Sequence, residues 1–407
     1  MPADKSIAHR ALIVGALSGG PATVAIRSPG RDVVSTVACL RELGVEITED
    51  ASGTFVITGR PERGATLDCG NSGTTMRLLA GAIAGLPLRV TLDGDDSLRA
   101  RPMERVAAIL RAAGADVTTT DGHAPITVVG RDSLAPTSHR LPVASAQLLG
   151  AAALAGLSAD GETTIEAPGP TRDHTERMLE WTGVQIRREG LVTILTGPAR
   201  PRPFELKVPG DPSAASAWLV GGAVHPDADI TLVGVGINPT RLALVGLLRG
   251  MGAEIDVHAT DEAGSELVGD ITVRGGQPLR AVSIGDDQVA ELIDELPLVA
   301  VAMASCEGES EVRDAGELRV KESDRIAATV AGLQAIGAEV SELPDGWRVR
   351  RGTPREARIT THGDHRIAIA FAIAATTGVA ASVELDDPEC TSVSYPDFWS
   401  DLASVTA

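Results

Sequence analysis

Aromatic side chains are scarce in this chain: they make up 2% of its 407 residues. That leaves little to stack on single-stranded bases, and any core must be built from Ala, Val, Leu and Ile, which the 43% hydrophobic content supplies. Cysteine is also rare. Cys39, Cys69, Cys306 and Cys390 lie far apart with no Cys-x-x-Cys spacing, which argues against a disulfide framework or a zinc site and fits a reducing cytosol. No uncharged apolar run reaches the roughly 18 residues of a membrane span. Asp4, Lys5 and Arg10 interrupt the opening segment, so no signal peptide is expected. Positive charge is in deficit as well. The formal net charge of −19 argues against a nucleic-acid partner. Lysine is almost missing, with Lys5, Lys207 and Lys321 the only three among 36 basic residues. A lysine kept against such an arginine bias is a candidate for its compact, proton-active ammonium; Lys207 reads as chance.

What is present is a repeat. Leu-x-x-x-Gly-Ala/Val-x-Ile/Val, a helix end with a glycine cap running into a strand, occurs at Leu40–Ile47, Leu110–Val117, Leu179–Ile186, Leu248–Ile255 and Leu333–Val340. Gly44, Gly114, Gly183 and Gly252 are 70, 69 and 69 residues apart, and Gly337 follows 85 later, so an insertion precedes it. Between these ends lie helices of small apolar residues with polar starts: Asp4-Lys5-Ser6, Asn71–Thr74, Ser145-Ala146-Gln147, Asp211-Pro212-Ser213, Asp294–Pro297 and Asp364-His365-Arg366. Helices apolar nearly all round are buried. If the units are related by pseudo-symmetry, their electropositive N-termini converge on an anion site. Six units exceed one core, so two domains of three βαβαββ units are expected, residues 5–207 and 208–407, with a hinge near 207–211 and the N-terminus. Met1-Pro2-Ala3 leaves no room for the strand that opens the other units. Either the true start lies upstream or that strand is absent.

The polar starts carry the candidate chemistry. Asp68-Cys69-Gly70-Asn71-Ser72-Gly73-Thr74 is an anion cradle or a plain cap, with Asn71 and Thr74 suited to the helix N-terminus. Lys5, Ser6 and Arg10 share one helix start, and Arg101 and Arg172 precede helices. An arginine facing a positive dipole end is relieved by a bound phosphate or carboxylate. In Arg319–Ile326, helical spacing predicts Lys321 and Arg325 on one face, with Glu322 between two cations as a general acid or base. Asp294 either caps its helix or takes a proton from a ligand hydroxyl. His362 and His365 lack further ligand spacing, so no metal is expected, and Arg366 reads as an anion contact.

Four motifs then carry a resemblance: Gly70-Asn71-Ser72-Gly73-Thr74-x-x-Arg77, Arg101-Pro102-Met103, Leu318-Arg319-Val320-Lys321-Glu322-Ser323-Asp324-Arg325 and Gly363-Asp364-His365-Arg366. Over nearly its whole length the chain resembles the 5-enolpyruvylshikimate-3-phosphate synthase family. The resemblance implies an α/β fold, a two-domain inside-out α/β barrel with three βαβαββ repeats per domain around buried parallel helices. It implies closure of the domains and transfer of the enolpyruvyl group of phosphoenolpyruvate to the 5-hydroxyl of shikimate 3-phosphate in aromatic amino-acid synthesis. By position, Lys5, Ser6, Arg10, Ser145, Gln147, Arg172, Asp294 and Lys321 would hold shikimate 3-phosphate. Lys5, Asn71, Gly73, Arg101, Gln147, Arg325 and Arg366 would hold phosphoenolpyruvate, and Lys5, Asp294 and Glu322 would be catalytic. No metal or organic cofactor is implied, and retention of Gly73 implies inhibition by glyphosate. A cytoplasmic monomer acting on small molecules, without nucleic acid or membrane, is expected. Ala3, Ala146 and Val393 stand where relatives have glycine, serine and lysine, the last a phosphoenolpyruvate contact. Two readings compete. A UDP-N-acetylglucosamine enolpyruvyl transferase would carry a reactive cysteine near Arg101, where none stands. A non-catalytic paralogue would bind shikimate 3-phosphate without turnover.

Overall fold

The computed structural model describes residues 1–406, at Asp287 the backbone alone. Two compact units make up the α/β chain: Lys5–Val208 with Glu262–Glu266, the first lobe, and Met1–Asp4, Pro209–Asp261 and Leu267–Ala407, the second.

In the first lobe three four-stranded sheets surround three buried helices, Lys5–Leu17, Gly73–Ala84 and Ala146–Gly156. Two sheets follow one plan. A leading strand (Thr66–Asp68, Ser138–Arg140) runs parallel to a second (Arg89–Asp93, Glu162–Glu166). The second pairs antiparallel with the last strand of the unit (His123–Val129, Val192–Thr196), and the third (Asp116–Thr120, Ile186–Glu189) takes the far edge. This is the βαβαββ unit of the repeat. The remaining sheet has the same order, but its leading place is filled from the far end of the lobe. Glu205–Lys207 runs parallel to Ala22–Ala25, in register from Thr23 opposite Glu205 to Ala25 opposite Lys207. The strand sought ahead of Lys5 is thus supplied after residue 204, because sheet pairing need not follow chain order.

The second lobe repeats the scheme around Pro212–Val224, Leu296–Ser305 and His365–Thr376. Its first sheet joins Asp229–Gly236, Glu266–Arg274 and Glu254–Ala263, and a parallel bridge from Gly210 to Val235 stands where a leading strand would lie. Part of the extra spacing before Gly337 goes into this hairpin, whose strands are 10 and 9 residues long, and part into the short helix Asp287–Leu292. The second sheet, of Ser283–Ile284, Glu309–Val312, Gly346–Arg350 and Glu339–Leu343, keeps the full plan. The last has only the parallel pair Glu356–Ile359 and Ser382–Leu385. In place of its hairpin a 3-10 turn, Pro388–Val393, and the helix Phe398–Thr406 close the lobe. Four of the scarce aromatics, Trp218, Tyr395, Phe398 and Trp399, gather here, and the Trp218 Nε1–H donates to the Tyr395 hydroxyl at 3.1 Å. Large rings cover what a missing hairpin leaves open.

The buried helices can be central because their small side chains let backbones approach. A Cβ at Gly81 would lie 2.3 Å from the Ala151 carbonyl oxygen of the neighbouring helix, so only glycine fits there. The outer helices are amphipathic: Arg31–Glu42 buries Val33, Val37 and Leu40, one stripe. Each ends as its sequence predicts. Gly44, Gly114, Gly183, Gly252 and Gly337 have φ of +94°, +100°, +92°, +109° and +97°, left-handed values that a side chain would strain. Among the described residues, no helix is long and apolar enough to cross a membrane.

Candidate active site

Polar side chains cap four of the six buried helices. Ser72 accepts from the Thr75 amide, Ser145 from Leu148, Asp211 from Ser213 and Asp364 from Arg366. The first of these differs from the expectation, which gave the cap to Asn71 and Thr74. Ser72 alone sits at the position whose oxygen reaches the N3 amide, and Asn71, one residue outside, is left to bridge other side chains. Its amide nitrogen donates to both Asp95 oxygens at 3.1 and 2.8 Å, and its amide oxygen accepts from Arg101 at 2.7 Å.

Around this turn the first lobe assembles most of its candidates. Lys5 Nζ lies 3.0 Å from Asp32 Oδ2, at the first turn of the neighbouring Arg31–Glu42 helix. Gln147 joins two elements: its oxygen accepts from Arg77 at 2.6 Å and its nitrogen donates to the Thr74 hydroxyl at 2.9 Å. Gly73 lies beneath both arginines, since a Cβ there would be 2.8 Å from an Arg77 nitrogen and 3.3 Å from one of Arg101. Arg10 is placed deeper than its candidate role suggests. It is buried, with Nε donating to Thr175 Oγ1 at 2.6 Å and its terminal nitrogens to the carbonyls of Ser6 at 2.8 Å and Ala146 at 3.2 Å. Ser6 and Ser145 stand at their helix starts. Arg172 is partly buried ahead of the His174–Trp181 helix, next to Asp173, which pairs with Arg177 and Arg188 at 2.8 Å each.

A chain of hydroxyls underlies the same region. His9 Nδ1 meets Thr36 Oγ1 at 2.7 Å, Thr36 meets Thr75 at 2.7 Å, and Thr75 donates to Ser72 Oγ at 2.7 Å. These contacts tie the helices Lys5–Leu17 and Arg31–Glu42 to the start of Gly73–Ala84. Burial, opposed by Asp32 and reinforced by Lys5 and Arg10, brings the His9 pKa down to about 3, so the ring is neutral.

The second lobe assembles the others, and here one expectation is corrected. Lys321 and Arg325 do not share a helix face. Gly316–Val320 is a 3-10 turn, Lys321 is extended, and the helix begins only at Arg325. Asp324 caps it by accepting from the Ala327 amide at 3.0 Å, which fixes the start and leaves Lys321, Glu322 and Ser323 in a turn. The charges meet nonetheless. Arg325, its side chain 2% exposed, donates to Asp364 from Nε at 2.8 Å and from Nη2 at 3.2 Å. Its Nη2 lies 2.6 Å from Glu322 Oε2 and its Nη1 3.6 Å from Asp294 Oδ1. Lys321 Nζ is 3.4 Å from the same Asp294 oxygen. Asp294 is therefore not the helix cap, a place taken by Glu295. Burial alone would lower the Arg325 pKa and raise that of Asp364. The pairing wins on both sides: Asp364, Glu322 and Asp294 raise the first, and Arg325 lowers the second. Arg366 donates from Nη1 to the Ser213 carbonyl at 3.3 Å and lies 3.9 Å from Glu295 Oε1.

Several of these partners were not picked out from the sequence. Asp32 is far from Lys5 along the chain, and no local pattern marks it. Arg77 stands in a quoted motif without a role, and its signal was a charge inside an apolar helix. Asp364 had the better signal, a carboxylate just ahead of an arginine at a helix start.

The sequence profile of EPSP synthase (3-phosphoshikimate 1-carboxyvinyltransferase) matches residues 1–402. The 3-phosphoshikimate 1-carboxyvinyltransferase of Herpetosiphon aurantiacus is 43% identical, with 100% of this chain and 96% of that protein covered. The enzyme of the same name from Acidithiobacillus ferrooxidans is 45% identical over 98% and 92%. Among solved structures, an EPSP synthase from Acinetobacter baumannii superposes with a TM-score of 0.86 at 36% identity, covering 99% of this chain and 94% of that one. The enolpyruvyl transferase NikO from Streptomyces tendae, at 18% identity and a TM-score of 0.76, shares the fold. With these motifs in place along its whole length, the chain belongs to the EPSP synthase family, the 3-phosphoshikimate 1-carboxyvinyltransferases.

Proposed function

We propose that this protein transfers the enolpyruvyl group of phosphoenolpyruvate to the 5-hydroxyl of shikimate 3-phosphate, releasing phosphate, as a cytoplasmic monomer. The observation that carries the reading is the second-lobe cluster. Two carboxylates, Asp294 and Glu322, lie within 3.6 Å of the same buried Arg325, and Lys321 reaches Asp294. The reaction asks for such a pair. The hydroxyl must lose a proton as it adds to C2, and C3 must gain one; the tetrahedral intermediate then loses phosphate and a methyl proton. Asp294 serves the hydroxyl and Glu322 the methylene carbon, with Lys5 assisting.

Cations stabilise the charge that develops on phosphate and carboxylate. Lys5, Arg101, Arg325 and Arg366, with Asn71, Gly73 and Gln147, bind phosphoenolpyruvate. Lys5, Ser6, Ser145, Gln147, Arg172, Asp294 and Lys321 bind shikimate 3-phosphate. Arg10, whose donors go to Ser6, Ala146 and Thr175, serves that site by holding the two helix starts. Glyphosate competes at the phosphoenolpyruvate site, where Gly73 leaves room beside Arg101. The test is phosphate release. It should require both substrates together and stop with glyphosate. Release from phosphoenolpyruvate alone, or none with both present, overturns the reading.

A further inference from the structure

Beneath Arg366 lies a buried relay that the proposed chemistry does not use. Arg241, its side chain 3% exposed, donates from Nη2 to Asp211 Oδ1 at 3.0 Å and to the Ser213 hydroxyl at 2.9 Å. A guanidinium cannot accept, so that hydroxyl must point its own proton elsewhere, and it donates to Glu295 Oε1. The same glutamate oxygen faces Arg366 Nη1 at 3.9 Å, while the Ser213 carbonyl accepts from that nitrogen at 3.3 Å. Ser213 is thus wedged between two arginines, with the direction of each hydrogen bond fixed. Asp4 Oδ2 completes the charge around Arg241 at 3.9 Å.

Such a cluster is a poor way to gain stability. Apolar residues of the same volume commonly serve as well or better, because each buried ion is costly to desolvate. What it provides is direction. An arginine at the second position of a helix meets the positive dipole end, and its guanidinium meets the Ser213 carbonyl and Glu295, which belong to the starts of two other helices. Glu295 also follows Asp294 directly and shares its backbone.

We propose that Glu295, acting with Ser213 and Arg241, is a positioning residue that aims the Arg366 guanidinium at phosphoenolpyruvate. The inference rests on the reading above that Arg366 binds that substrate. The experiment compares Glu295→Met, which has similar volume and no carboxylate, with Glu295→Gln, whose amide oxygen still accepts from Ser213. Glu295→Met should raise KM for phosphoenolpyruvate about tenfold and leave KM for shikimate 3-phosphate within about twofold, as loss of one charge-assisted contact does. Glu295→Gln should recover most of that loss. Equal KM values for the two variants overturn positioning in favour of charge alone. A lower Tm with unchanged KM overturns it in favour of a structural role. Should Glu295→Met not fold, Ser213→Ala cuts the relay with every charge kept; it should raise the same KM severalfold, and an unchanged KM overturns the proposal. Arg366→Lys separates the two levels of inference. If it leaves KM for phosphoenolpyruvate unchanged, the assignment of Arg366 fails, whatever Glu295 does.

Discussion

The candidate arginines of the two lobes are held by different chemistry. In the first lobe Arg101 leans on the amide oxygen of Asn71 and Arg77 on that of Gln147. In the second, Arg325 meets Asp364, Glu322 and Asp294, and Arg366 faces Glu295. An amide oxygen orients a guanidinium as a neutral acceptor; a carboxylate orients it and sets a negative charge beside it. The second-lobe arrangement sets the two proposed proton carriers, Asp294 and Glu322, beside one buried arginine.

The contrast can be broken most directly at Glu322. Glu322→Gln keeps the shape and removes the proton carrier. Turnover should fall about a thousandfold, within the usual range for general acid–base groups, while the Kd of shikimate 3-phosphate barely moves. Steady-state kinetics with calorimetry checks both.

Stability should divide the same way. Asp364→Asn leaves the buried Arg325 short of its bidentate partner and should cost about 3 kcal/mol. Asp32→Asn, at the more accessible Lys5 pair, should cost no more than about 1 kcal/mol. Denaturant titration of both variants measures the difference, and equal losses would erase the distinction.

Acid should act through the first lobe. The pKa of His9 is about 3 in the fold against 6.5 in the unfolded chain. As pH falls below 6.5 the unfolded chain takes up the proton first, so the stability present above 6.5 is lost progressively toward pH 3. The loss from this group by pH 4 should be about 3 kcal/mol, and His9→Asn should flatten that limb of a Tm-against-pH curve.

The smallest effect sharpens the comparison. Asn71→Asp gives Arg101 a carboxylate of the second-lobe kind. KM for phosphoenolpyruvate should rise about tenfold, as placing a carboxylate against one anion-binding arginine does; the same change also trades the Asn71 donor to Asp95 for a second carboxylate.

How much of this could be read beforehand depended on distance along the chain. The five glycine-ended helices were legible because left-handed backbone at Gly44 or Gly252 is a local demand that one residue meets. The buried helices were legible from their unbroken apolar character. The candidate residues at helix starts were picked out for the same reason, through motifs within one turn. Pairings across the fold were not: Lys5 with Asp32, Arg77 with Gln147 and Arg325 with Asp364 join residues far apart, and no periodicity encodes them. The Lys321–Arg325 turn failed differently. Helical spacing was read through Asp324, whose side chain is the device that starts the helix there.

The strand Glu205–Lys207 has a consequence for synthesis. Because it zips onto Ala22–Ala25, the sheet begun before the other two of the first lobe is the last of those three to be finished. Until residue 207 is translated, the Ala22–Ala25 edge is bare, a sticky margin open to pairing with other chains. Such long-range closure slows folding, and nascent chains cut short of Glu205 should be the ones that chaperones capture.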